Sequence, residues 1–193
     1  VSDCTFAGTY YSLRDYFAGI VGDAGGNSVT LKNCTVTAAA WLGKEAGITY
    51  SAISNGGLVG KVSGRNLTIT GCSFTGGFYM ATTRAFYLGG LVGDADYCDE
   101  MVKITDSNVT GDMLCVAESI GDINVGGLIG GDSGWSADKL NIENCHFKGN
   151  LIAKATGDNK ETKINRIGAL AACIAADDLT VKNCTAESRI VLD

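Results

Sequence analysis

The chain has 193 residues, 46% hydrophobic and 19% charged, with a net charge of −6 and an isoelectric point near 4.7. An acidic balance argues against nucleic acid and anionic membrane as partners. No apolar run is long enough to cross a bilayer, the nearest being residues 167–176.

Taken in chain order, the sequence opens on a short piece, Asp3-Cys4-Thr5-Phe6, and then repeats one pattern five times. Each repeat begins with a glycine-rich signature. The copies are Ala18-Gly19-Ile20-Val21-Gly22, Gly56-Gly57-Leu58-Val59-Gly60, Gly89-Gly90-Leu91-Val92-Gly93, Gly126-Gly127-Leu128-Ile129-Gly130 and the degraded Gly168-Ala169-Leu170-Ala171-Ala172. Each then runs into an apolar strand that breaks its alternation. The clearest are Val29-Thr30-Leu31-Lys32-Asn33-Cys34-Thr35-Val36, Leu67-Thr68-Ile69-Thr70-Gly71-Cys72-Ser73-Phe74 and Leu140-Asn141-Ile142-Glu143-Asn144-Cys145-His146-Phe147. The stretches 102–109 and 179–186 follow the same plan, with Ser107 and Cys184 in the Cys slot.

In each strand the apolar pair at i and i+2 is followed by a second pair at i+5 and i+7, so one residue between them must be absorbed by a corner. The residue before the slot is Asp3, Asn33, Gly71, Asp106, Asn144 and Asn183 in turn. These are the residue types that tolerate a left-handed backbone. A bend there keeps both halves pointing inward.

Successive signatures start 38, 33, 37 and 42 residues apart, a period that marks solenoids, propellers or arrays. Val, Ile, Leu, Thr, Phe and Gly in short two-periodic stretches exclude helical solenoids. About three strand-like stretches per repeat are too few for a propeller blade. The expected fold is all-β, a right-handed parallel β-helix of about five coils of 33 to 42 residues with three short strands per coil. Five full coils and one partial coil give a rod of roughly 25 Å. The absence of proline agrees, since every interior coil needs its N–H groups for the ladders. Residues 1–193 read as a single solenoid domain belonging to a longer chain.

Gly56, Gly89 and Gly126 are expected to stack at a tight corner or a close backbone approach. A phosphate-cradling loop would require a following helix, and none is signalled. Five of the eight cysteines share the one slot. In-register Cβ atoms about 4.8 Å apart exceed the disulfide range, so these are expected to be free thiols packed as small hydrophobes. Cys98, Cys115 and Cys173 lie outside the slot with no evident partner. Free thiols suit a non-oxidising habitat.

The signature followed by an Asn-Cys-Thr type strand resembles the GLUG repeat of large bacterial surface proteins, which include adhesins and the non-catalytic regions of some immunoglobulin A-cleaving metallopeptidases. The resemblance covers nearly the whole chain and departs from the pattern at Ala18, Ala169, Ala171 and Ala172. It implies an extracellular or cell-surface β-helix serving adhesion or display, with no shared catalytic residue.

His146, the single histidine, is expected to point outward with Thr5, Thr35, Ser73, Asn108 and Thr185. No nucleophile-elbow signature accompanies it. Asp94, Asp96, Asp99 and Glu100 form an acidic loop, echoed by Asp177 and Asp178. The density of hard oxygen ligands would suit calcium, although a hydrated acidic loop is the simpler expectation, and no other cofactor is indicated. Asn-x-Ser/Thr matches arise from the repeat itself.

Function, if local, is expected in the variable loops before each glycine signature. These carry Tyr10, Tyr11, Tyr16, Trp41, Tyr50, Tyr79, Phe86 and Tyr87. Trp41, Tyr50, Tyr79 and Tyr87 are the candidate ligand-binding residues, as aromatic faces that stack on sugars or anchor a protein. Phe78, Met80 and the second aromatic of each adjacent pair, Tyr11 and Tyr87, are expected in the core by alternation. The expected function is a non-catalytic adhesin-like module attaching to a host or matrix glycan or protein, or a display stalk, monomeric or weakly self-associating end to end. The alternative is a polysaccharide-active β-helix fragment, which would need a carboxylate-lined groove.

Overall fold

The computed structural model describes residues 1–12, 16–42, 53–82, 86–95, 98–117, 121–131, 137–155, 162–173 and 175–192. Among them every regular element is a strand, and every strand pairing is parallel. The strands fall into sheets of nine, seven and five members, which the chain visits in rotation. This is a β-solenoid of about four regular turns. The degraded last signature contributes only a single bridge between Ile129 and Ala171 instead of a strand.

One turn shows how the sequence makes the path. Ile53–Gly56 lies in the five-stranded sheet, a bend at Gly57-Leu58 carries the chain to the next sheet, and Val59–Thr70 runs along the seven-stranded sheet. Gly71 then bends the chain into Ser73–Thr82 of the nine-stranded sheet. Leu67 and Ile69 before the corner and Cys72 and Phe74 after it are all buried. Each such aliphatic or aromatic side chain contributes about 1.5–3 kcal/mol by leaving water. In later coils the strands of both larger sheets are split, for instance into Asn108–Thr110 and Met113–Ala117.

The expected left-handed corners are present. Asp3, Asn33, Asp106, Asn144 and Asn183 have φ of 53° to 54°, and Gly71 has 64°. Their side chains also link the coils. Asn33 Nδ2 donates to Asp3 Oδ1 at 3.1 Å, Asn144 Nδ2 to Asp106 Oδ1 at 2.9 Å, and Asn183 Nδ2 to Asn144 Oδ1 at 3.2 Å. Gly71 interrupts this ladder.

The cysteine slot is a hydrogen-bonded ladder as well as an apolar one. Each thiol donates to the carbonyl two residues back, as Cys34 does to Lys32 at 3.4 Å and Cys145 to Glu143 at 3.2 Å. The backbone N–H of Cys34 donates to Cys72 Sγ at 3.4 Å, and that of Cys72 to Ser107 Oγ at 3.1 Å. Ser107 Oγ in turn donates to the Thr105 carbonyl at 2.8 Å. All eight cysteines are free thiols. Cys115, outside the slot, fills an inward row between Met80 and Ala153, and burial pushes its thiol well above the ordinary range.

The signature glycines sit under close backbone approach, as their stacking suggests. A Cβ at Gly56, Gly89 or Gly126 would fall almost on the carbonyl oxygen of Val59, Val92 or Ile129, three residues on. This proximity lets the chain bend and bring Leu58, Leu91 and Leu128 into the core.

Candidate functional site

The nine-stranded sheet presents one row that differs from the others. Counting seven residues on from the Cys slot gives Tyr11, Trp41, Tyr79, Leu114, Ile152 and Val191. These six are paired in register from coil to coil. An odd offset from a buried slot turns them outward. Tyr11 is 77% exposed, Trp41 45% and Tyr79 37%, while Leu114, Ile152 and Val191 are half-buried. The row passes from aromatic to aliphatic along the rod.

Trp41 and Tyr79, second and third in the row, pack against each other. Their ring centroids are 5.1 Å apart at an interplanar angle of 42°. Two residues earlier in the same strands the outward positions are Ala39 and Gly77, so the rings stand beside a low floor. The resulting open depression of about 210 Å³ is lined by Ala39, Ala40, Trp41, Gly77, Phe78, Tyr79 and Leu114. Its lining contains no charged side chain. Asp112 and Asn150 precede Leu114 and Ile152 by two residues, in the same row as Ala39 and Gly77, and the Asp112 backbone lies beside Gly77. Asp112 Oδ1 accepts from both the backbone N–H of Asn150 at 2.7 Å and its Nδ2 at 3.0 Å.

The four aromatic candidates therefore do not converge. Trp41 and Tyr79 are adjacent, Tyr50 lies outside the described residues, and Tyr87 belongs to the five-stranded sheet at 8% exposure. The placement in variable loops is also corrected. Tyr10 and Tyr11 lie in Thr5–Ser12, Trp41 in Thr35–Leu42, Tyr79 in Ser73–Thr82, and Phe86 and Tyr87 in Phe86–Gly89. Strand alternation then sorts them. Tyr10 turns inward, 5.7 Å from the ring of Phe6 and 4.2 Å from that of Phe17, and burial pushes its phenol above the ordinary range. Phe78, Met80 and Tyr87 are buried as expected, whereas Tyr11 is exposed because the strand turns its neighbour Tyr10 inward instead.

The acidic loop also divides. Asp94 ends the strand Val92–Asp94 and is 2% exposed, where Ser54 Oγ donates to its Oδ2 at 3.3 Å. Asp99 and Glu100 instead face Arg65, at 3.6 and 2.6 Å, and Asn66 Nδ2 donates to Glu100. Asp96 lies outside the described residues. Asp177 and Asp178 lie on Ala176–Lys182. No group of three or more histidine, cysteine, aspartate or glutamate side chains able to hold a metal occurs among the described residues. His146 is exposed, with its Nδ1 2.6 Å from Thr185 Oγ1.

Leu114, Asp112 and Asn150 carry no aromatic or motif signal in the sequence. The constant spacing from the Cys slot identifies their rows. Comparison with family models, curated proteins and solved structures found no match to this chain.

Proposed function

We propose that this solenoid is a non-catalytic attachment module of a bacterial cell surface, engaging a glycan or protein through the exterior of its nine-stranded sheet. The observation that carries this reading is the Trp41–Tyr79 pair, two large aromatic side chains held in the open on a rigid, laddered face. Exposed aromatics of this kind supply contact area at little conformational cost. The GLUG-like signature supports the surface location.

Ser54 and Asp94 form a buried pair in another part of the rod, whereas His146 is engaged with Thr185 on the exposed face. An array of immobilised glycans and matrix proteins, probed with the parent protein and a Trp41→Ala/Tyr79→Ala double variant, tests the proposal. Binding by the parent that the double variant loses is the expected result. Equal binding by both would remove the face from consideration, and no binding by either would leave a passive spacer.

A further inference from the structure

Resting on that reading of the face, we infer that its ligand is a neutral, flat, equatorially linked glycan laid along the solenoid axis, with one pyranose ring stacked on Trp41 and the next unit against Tyr79, whose ring is tilted by 42° from it. The lining of the depression gives the first reason. It offers aromatic and aliphatic surface with no side chain able to form an ion pair, so it suits a ligand with an uncharged, apolar face. The C–H face of a pyranose has that character.

Depth gives the second reason. Protein anchors reach their full value in well-packed, desolvated pockets, and enclosed small-molecule sites usually have about 300–1,000 Å³. An open floor of about 210 Å³ accepts a ring laid flat instead of a plugged side chain. Ala39 and Gly77 form this floor because larger outward side chains would fill the space beside Trp41 and Tyr79.

The third reason is direction. Trp41, Tyr79 and Leu114 come from three successive coils in register. Adjacent strands are about 4.8 Å apart, so this row spans about 10 Å along the axis, the length of two linked pyranoses. A flat chain follows this straight line, whereas a coiled α-linked chain leaves it. Asp112 adds the polar element. It uses one carboxylate oxygen for both bonds from Asn150, and its place next to Gly77 of the floor leaves the other oxygen to accept a sugar hydroxyl. The same negative charge opposes uronic acid polymers.

The probes are β-1,4-linked glucose oligomers of one to six units, an α-1,4-linked hexamer and an oligogalacturonate. Each is titrated against the parent protein, Trp41→Ala and Asp112→Asn by calorimetry, with circular dichroism to establish that each variant is folded. Binding is expected for the neutral β-linked series, tightening up to two or three units and then levelling. Trp41→Ala should weaken it about tenfold or more, as expected for loss of a stacking ring. Asp112→Asn should weaken it less and narrow the discrimination against oligogalacturonate.

Equal affinity for oligogalacturonate, equal affinity for the α-linked hexamer, or binding unchanged in folded Trp41→Ala would overturn the inference. Films of purified extracellular-matrix protein form the separating arm. Trp41-dependent binding to such a film with no binding to any glycan would sink the sugar assignment and leave the attachment reading standing. No binding in either arm would overturn both.

Discussion

The corner and the outward row are both ladders, but they treat the repeat differently. At the corner each coil supplies an Asx or Gly residue with φ near 53° to 64° followed by Cys or Ser. In the outward row, successive coils supply Tyr, Trp, Tyr, Leu, Ile and Val. Sameness at the corner follows from a backbone requirement that few residue types satisfy. Variation in the row shows that the scaffold does not dictate those side chains, which leaves them available for contact with a ligand.

The largest effect expected from breaking this contrast comes from the glycine corner. Gly89→Val would drive a side chain into the Val92 carbonyl and the backbone N–H of Gly130. A loss of about 4 kcal/mol or more is expected, with the cooperative transition in far-ultraviolet circular dichroism abolished or moved far down in temperature.

Two aromatic truncations sharpen the contrast next. Tyr87→Ala removes a buried ring and should cost about 3–5 kcal/mol. Trp41→Ala removes a ring that is 45% exposed and should cost less than about 1 kcal/mol. Chemical denaturation of the two variants side by side checks this.

At the left-handed corner, Asn144→Ala should cost about 1–2 kcal/mol more than Asn144→Gly. Both lose the bonds to Asp106 and from Asn183, so the difference isolates the backbone. An equal cost for both would show that the side-chain bonds alone matter.

The smallest effect is a pH dependence at the Cys slot. Burial, partly offset by the N–H of Ser107, pushes the Cys145 thiol from 9.0 to about 11. Its folded pKa is raised, so its contribution to stability is complete below pH 9 and is lost as pH rises through about 11. Urea midpoints should therefore fall over that window. Cys145→Ser should flatten the fall while staying within about 1 kcal/mol of the parent at pH 7, because Ser107 already makes the slot's bonds.

The sequence exposes the repeating parts because they rest on backbone chemistry. The phase break between Ile69 and Cys72 requires a corner, and the Asx and Gly residues at the break tolerate its φ. The Asn ladder and the thiol bonds were not visible, because they depend on how adjacent coils align in space. The site was legible only in part. Treating the aromatics as loop residues grouped Tyr87 with Trp41, although strand parity buries Tyr87 in one sheet and exposes Trp41 on another. Counting from the Cys slot would have separated them, since Tyr87 has no place seven residues after it.

The most direct test of the exposed row as the binding face is thermal melting of the parent, Trp41→Ala and Tyr87→Ala, each with and without a β-1,4-linked glucose hexamer. Ligand binding raises the melting temperature of any variant that retains the site. The expected result is a Trp41→Ala variant that melts with the parent and has lost the ligand-induced rise, beside a Tyr87→Ala variant that melts early and keeps it. The reverse pattern, with the rise retained in Trp41→Ala and lost in folded Tyr87→Ala, would contradict the assignment of the outward row as the binding face.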